Sequence, residues 1–333
     1  MFDNIIVGVD GREGGQDAIA RDQTGGTMFD NVLIAIDGRQ GGRDAIALAK
    51  QLAGPNASYS LAHVYGTAVY TRGATGKHPV EHEASIRLLA AERTAANMEA
   101  NLVSTGFVSP ARGLHELAEH GGADLLVVGS SRHALLGRVL LGDDARASLD
   151  GAPCAVAIAP RGYADSPDRL LEIGVGYDGS PESERALIAA RELARSHGAR
   201  IRALSVVSLK NVRDEKPIPA DWPETAERLV DERLNRLSEL DGIEGEAVYG
   251  GPREELSRFS GEVDVLIVGS RGYGPLGRIL HGSVSRYLVR HAACPLLVLA
   301  RGAVGDPAAE SADHRPESRS RRSSGLDQAV VDR

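Results

Sequence analysis

The chain carries most of its length twice. Gly129, Gly142 and Cys154 recur 140 positions later as Gly269, Gly282 and Cys294, and Asp37 recurs 141 positions later as Asp178. An offset that constant predicts two domains of one fold. Each copy reads as strand, helix, strand, variable loop, long helix, short helix, a strand that runs into a glycine-rich loop, a further helix and a final strand. In the first copy the strands are expected at 32–36, 59–64 and 155–159, with helices at 43–52 and 82–103. In the second the strands are expected at 173–177, 200–207 and 296–299, with helices at 183–197 and 224–240. Strands that alternate with helices predict parallel sheets joined by right-handed crossovers, an α/β fold with helices on both sheet faces.

Composition agrees with that class. Hydrophobic residues make up 42% of the chain and aromatics only 4%, so the cores must be built from Ala, Val, Leu and Ile, as helix-covered parallel sheets are. A net charge of −8 argues against nucleic acid or an anionic membrane as main partner. No stretch approaches the roughly 18 uninterrupted apolar residues of a spanning helix, and the start lacks a basic region and an apolar leader core, so the expected location is cytoplasmic. Cys154 and Cys294 each adjoin a proline before an apolar run and read as buried, reduced thiols. His78 and His82 form the tightest histidine pair, but Pro79 and the lack of cysteine or further histidine nearby argue against a metal site.

The boundaries follow from the repeat. Residues 28–160 form the first domain, 161–168 a short Pro- and Gly-containing linker, and 169–302 the second domain, while 303–333 have the Gly, Pro, Ser, Arg and Asp content of a disordered tail. Residues 1–20 match residues 28–47 at 13 of 20 positions, so 1–27 read as a partial duplicate, loosely attached. The halves are unequal. Between its long helix and Pro110 the first has only Ser104 to Ser109, whereas the second has Gly242 to Gly250, enough for a strand. The first domain is therefore expected to lack or shorten its third strand, and residues 4–9 are a candidate to dock on the edge left open.

The chemistry concentrates at strand ends. Residues 264–285 run a doubly apolar strand into a loop bearing Gly269, Gly272 and Gly282, then Ser283 at a helix start, with a near copy at 124–145. Glycines there permit positive φ and close backbone approach, which lets N–H groups face an anion. The strand Ile173-Gly-Val-Gly-Tyr-Asp178 ends in a carboxylate followed by Gly179 and Ser180. Asp178 reads either as a helix-capping group or as a ligand contact at the carboxyl end of a strand, where open α/β sheets bind.

An aspartate ending the first strand, followed after the fourth by Gly269, two residues, Gly272, nine residues, Gly282 and Ser283, resembles the pattern of the universal stress protein family, in particular its tandem two-domain members. The resemblance covers about residues 28–301. It implies two five-stranded parallel sheets in the order 3-2-1-4-5, with Asp178 and Gly269 on adjacent strands at the topological switch point. It also implies ATP as ligand, with or without a magnesium ion. Gly269, Gly272, Gly282, Ser283 and Ser285, with Val284 between them, match the positions that hold phosphates and ribose. Asp178, with Gly179 and Ser180, matches the nucleoside end, and Val206 an apolar contact for adenine. Arg271 and Arg278 are placed either to add charge-assisted contacts or to be solvated. The first domain departs from the pattern: Arg132 stands for Gly272 and Asp143 for Ser283, setting a carboxylate where a phosphate would lie. Asp37, Val64, Gly129 and Gly142 remain candidates there. The resemblance further implies pairing of the last strands within one chain, an internal pseudo-dimer, and a homodimer of chains.

The function expected is an ATP-binding regulatory protein of the stress response with little or no turnover. The chain has no Gly-x4-Gly-Lys-Ser/Thr loop, and its four lysines, Lys50, Lys77, Lys210 and Lys216, all lie outside the two glycine loops. Two alternatives stay open. One is an interaction protein whose nucleotide site has lapsed. The other is an adenylating α-hydrolase-type enzyme, although the turn Asp178-Gly-Ser-Pro-Glu-Ser lacks that class's Ser-Gly-Gly-x-Asp-Ser loop.

Overall fold

The computed structural model describes residues 29–66, 78–131, 133–140, 151–165, 169–208, 222–270 and 282–299. The first half runs β1 (Asn31–Ala35), α1 (Gln40–Leu52), β2 (Ser58–Gly66), α2 (His78–Ala95), β3 (Asn101–Phe107), α3 (Pro110–His120), β4 (Leu125–Gly129) and β5 (Ala155–Ala159). After a single 3-10 turn, Tyr163–Asp165, the second half repeats the series. It comprises β6 (Glu172–Gly176), α4 (Pro181–His197), β7 (Arg200–Val207), α5 (Trp222–Ser238), β8 (Ile243–Tyr249), α6 (Pro252–Phe259), β9 (Val265–Gly269), α7 (Ser283–His291) and β10 (Leu296–Leu299).

All ten strands lie in one sheet, in the order β3-β2-β1-β4-β5-β10-β9-β6-β7-β8. Within each half every described pairing is parallel. At the centre β5 and β10 pair antiparallel, Leu296 opposite Ile158 and Val298 opposite Val156, so the expected internal pseudo-dimer is one continuous sheet. Two apolar layers cover it. Alternate residues of β4, Leu125 and Val127, join the layer beneath α1, α2, α4 and α5, while Leu126 and Val128 join the layer beneath α3, α6 and α7. Burial on both faces is why these strands read as unbroken apolar runs. A shared device fixes the start of each half: the Asp124 carboxylate accepts from the backbone N–H groups of Asp30 and Asn31, and Asp264 accepts from those of Leu171 and Glu172.

Two expectations need correction. The first half does have its third strand: β3 pairs with β2 along its whole length, from Ser60 opposite Asn101 to Gly66 opposite Phe107. The helix expected to run to residue 103 instead ends at Ala95, and Leu102 and Val103 belong to β3. The chain turns at Asn97, whose φ of +45° is the left-handed conformation that ends helices, and the Met98 N–H bonds back to the Arg93 carbonyl. Because β3 occupies that edge, the gap proposed for residues 4–9 does not exist; residues 1–28 themselves lie outside the described residues. The tail from residue 300 onward also lies outside them, as do linker residues 166–168.

Candidate functional site

In the second half the sheet order reverses between β6 and β9, so the crossover helices leave on opposite faces and a crevice opens at the strands' carboxyl ends. A cavity of about 550 Å³ occupies it, within the 300–1,000 Å³ usual for small-molecule sites. Asp178, Ser180, Val206, Gly269, Gly282, Ser283, Val284 and Ser285 all line it. Eight of the residues singled out by sequence thus converge from four separate segments. Gly179 stands behind this wall; its φ of +78° makes the turn between β6 and α4. Arg271 and Gly272 lie outside the described residues, as do Gly142, Arg132 and Asp143 of the first half.

The floor is apolar. Leu204 and Val206 of β7, Val268 of β9 and Leu256 of α6 come from the layer shared with α7. The rim is polar and ordered by its own hydrogen bonds. Asp178 Oδ1 accepts from the Ser180 N–H at 3.1 Å, and the Ser180 hydroxyl accepts from the Ser183 N–H at 3.3 Å, capping α4. Ser180, not Asp178, is thus the cap of α4, and Asp178 instead braces the turn while it lines the cavity. Arg233 of α5 donates to the Asp178 carbonyl at 2.7 Å and pins the turn from behind. The Tyr177 hydroxyl donates to Glu184. Burial first, and that carboxylate second, push the phenol's ionisation up to about 12, so it remains a neutral donor at ordinary pH.

Of the two roles expected of these glycines, close backbone approach is used at Gly269 and positive φ at neither Gly269 nor Gly282. Gly269 is extended at the end of β9, and Gly282 has φ −72° and ψ 150°, so neither uses positive φ. A Cβ on Gly269 would stand 2.4 Å from the Glu182 carbonyl oxygen: the requirement is close approach of α4's first turn to β9. Gly282 is the N-cap of α7 and offers no side-chain cap. The first-turn N–H groups of α7 therefore face the cavity without a protein oxygen from that position, at the positive end of the helix dipole. The Ser285 hydroxyl turns back to the Gly282 carbonyl at 3.2 Å.

Sequence reasoning missed one wall. Tyr249, Gly250, Gly251, Pro252, Arg253 and Glu254, from the end of β8 and the start of α6, close the cavity opposite α4. The Gly-Gly-Pro run was the available signal, since it marks another strand end turning into a helix. Charge on the described lining is three carboxylates, Asp178, Glu182 and Glu254, against one guanidinium, Arg253.

The first half reproduces the turn, with different packing beside it among the described residues. Asp37 accepts from the Arg39 N–H at 3.0 Å, Gly38 has φ +73°, and Gly129 meets Gly41 as Gly269 meets Glu182. Two exchanges differ. Phe107 ends β3 where Gly250 follows β8, and Gly113 of α3 takes the place of Glu255 of α6. A Cβ on Gly113 would lie 2.6 Å from Val64 Cγ1 and 3.1 Å from the Phe107 ring, so Val64 and Phe107 pack onto the helix. In the second half Glu255 instead packs over Gly250, and Val206 faces the cavity.

Comparison with known proteins converges on one family. The model of the universal stress protein family matches residues 28–160 and again 171–300. Among curated relatives, a universal stress protein of Mycobacterium tuberculosis is 26% identical over 221 residues, 62% of this chain and 74% of its own length. One from Thermus aquaticus is 30% identical over 139 residues, 38% of this chain and 95% of its own. Among solved structures, a universal stress protein from Archaeoglobus fulgidus aligns with a TM-score of 0.57 at 18% identity, covering 82% of this chain and 98% of that one.

Proposed function

Because the chain belongs to the universal stress protein family and carries the family's unit twice, we propose that it is a regulatory protein that holds ATP in the second-half cavity, with little or no turnover. The observation that carries this reading is the convergence of Asp178, Val206, Gly269 and the uncapped start of α7 on one cavity at the sheet's switch point. An apolar floor at Val206 suits a purine. The Asp178 carboxylate suits ribose or base N–H and O–H donors, and the α7 N-terminus suits phosphate. With three carboxylates on the described lining, the magnesium complex is the form expected to bind, since the ion offsets repulsion between the phosphates and those groups.

Ser283→Asp tests the reading, because it places on α7 the carboxylate that the first half carries at Asp143. Two like charges about 4 Å apart at an effective dielectric near 20 repel by roughly 4 kcal/mol. Read without magnesium, where no ion offsets that repulsion, affinity for ATP measured by equilibrium dialysis should fall by about two orders of magnitude after solvent screening. Unchanged affinity would mean that phosphate does not lie at the α7 start.

A further inference from the structure

We infer that the first half positions the ligand-facing helix of the second half through a backbone bridge at Gly137–Val139, so that nucleotide held at one end of α7 is felt across the central strand pair. This rests on the nucleotide reading above. The N-terminal end of α7 lines the cavity, and its other end leaves at His291 and Ala292. There the Val139 N–H of the first half donates to the Ala292 carbonyl at 3.0 Å, and the Arg138 guanidinium approaches the His291 carbonyl at 3.5 Å. The Val139 side chain is fully buried in the apolar layer that also holds Leu288, Val289 and Ala292.

The bridge is anchored on its own side as well. The Gly137 N–H donates to the Arg161 carbonyl, the Arg161 N–H to the Arg138 carbonyl, and the Arg161 guanidinium to the Ala134 carbonyl at 2.8 Å. The chain just beyond is tied to α1: the fully buried Asp44 carboxylate accepts from the N–H groups of Gly162 and Ala164, each at 2.9 Å. A continuous set of hydrogen bonds therefore runs from α1, through residues 161–164 and 137–139, to the exit of α7. Because α7 has only nine residues, a shift at its start that accompanies anion binding must be taken up at its end, where Val139 is its partner from the other half. Arg138 and Val139 are positioning residues, not ligand contacts.

Two readouts on the full chain test this. In hydrogen–deuterium exchange, saturating magnesium ATP should slow exchange in the peptide spanning residues 135–140 by about fivefold, although none of these residues lines the cavity. In calorimetry, Val139→Pro, which deletes the donor, should weaken ATP binding about tenfold. Arg138→Ala should weaken it about threefold, and Arg138→Lys, which keeps a donor, should stay within about twofold of wild type. The exposed Arg138 variants keep the comparison available should the proline disrupt folding. If wild type binds ATP but exchange at 135–140 is unchanged and the variants bind equally well, the bridge is a structural contact only and the inference falls. A wild type that binds no ATP overturns the nucleotide reading itself, and the coupling with it.

Discussion

A Cβ on Gly269 would stand 2.4 Å from a backbone oxygen of α4, and one on Gly129 only 1.9 Å from the Gly41 carbonyl oxygen. Backbone cannot swing aside as a side chain can, so each substitution must push a helix start away from its strand. Gly269→Ala should therefore cost about 2 kcal/mol, with Gly129→Ala at least as damaging, both read as shifts in urea midpoint. Costs near zero would show that α4 and α1 move freely against the sheet. The glycine pattern was legible as a site because its spacing is regular, yet which of its two physical reasons applies at each position was not. Close approach and positive φ place the same residue at a position, and only coordinates distinguish them. A cap at this turn was legible, but it was read at Asp178, and the hydroxyl that caps α4 belongs to Ser180 two residues on.

At the level of elements, the strands with two buried faces were easy to read, because an apolar run between turn residues has few other meanings. Edge strand β3 was not. Its sequence, Asn101-Leu-Val-Ser-Thr-Gly-Phe107, has no strong alternation, and Leu102 and Val103 extend the apolar pattern of the preceding helix. The signal that separates the two elements is Asn97 in the left-handed conformation. Asn97→Val puts a β-branched residue there and should destabilise the chain by about 1 kcal/mol, whereas Asn97→Gly should be neutral or slightly stabilising, as thermal melts would report. Equal melting temperatures for the two would mean that the α2–β3 turn is not held in that geometry. The exchange of Gly250 and Glu255 for Phe107 and Gly113 escaped sequence reading for a related reason. Each swap is innocuous alone, and their complementarity in volume appears only when strand end and helix face each other.

Across the whole molecule, the repeat has produced two halves of one fold that differ in packing at the switch point. The central strands β5 and β10 are buried throughout, which fuses the halves into one sheet and makes the exit of α7 a contact between them. The second half keeps an open cavity at its switch point. The first keeps the Asp37 turn and the Gly41–Gly129 approach, but Val64 and Phe107 pack against Gly113, and its sequence carries Asp143 where the second has Ser283. Under the nucleotide reading proposed above, one nucleotide per chain, not two, is the expected outcome. Calorimetric titration of the full chain with magnesium ATP tests this most directly. The expected isotherm has a single class of sites with a stoichiometry near one per chain. No heat up to millimolar ATP, or two equivalent sites per chain, would contradict the account.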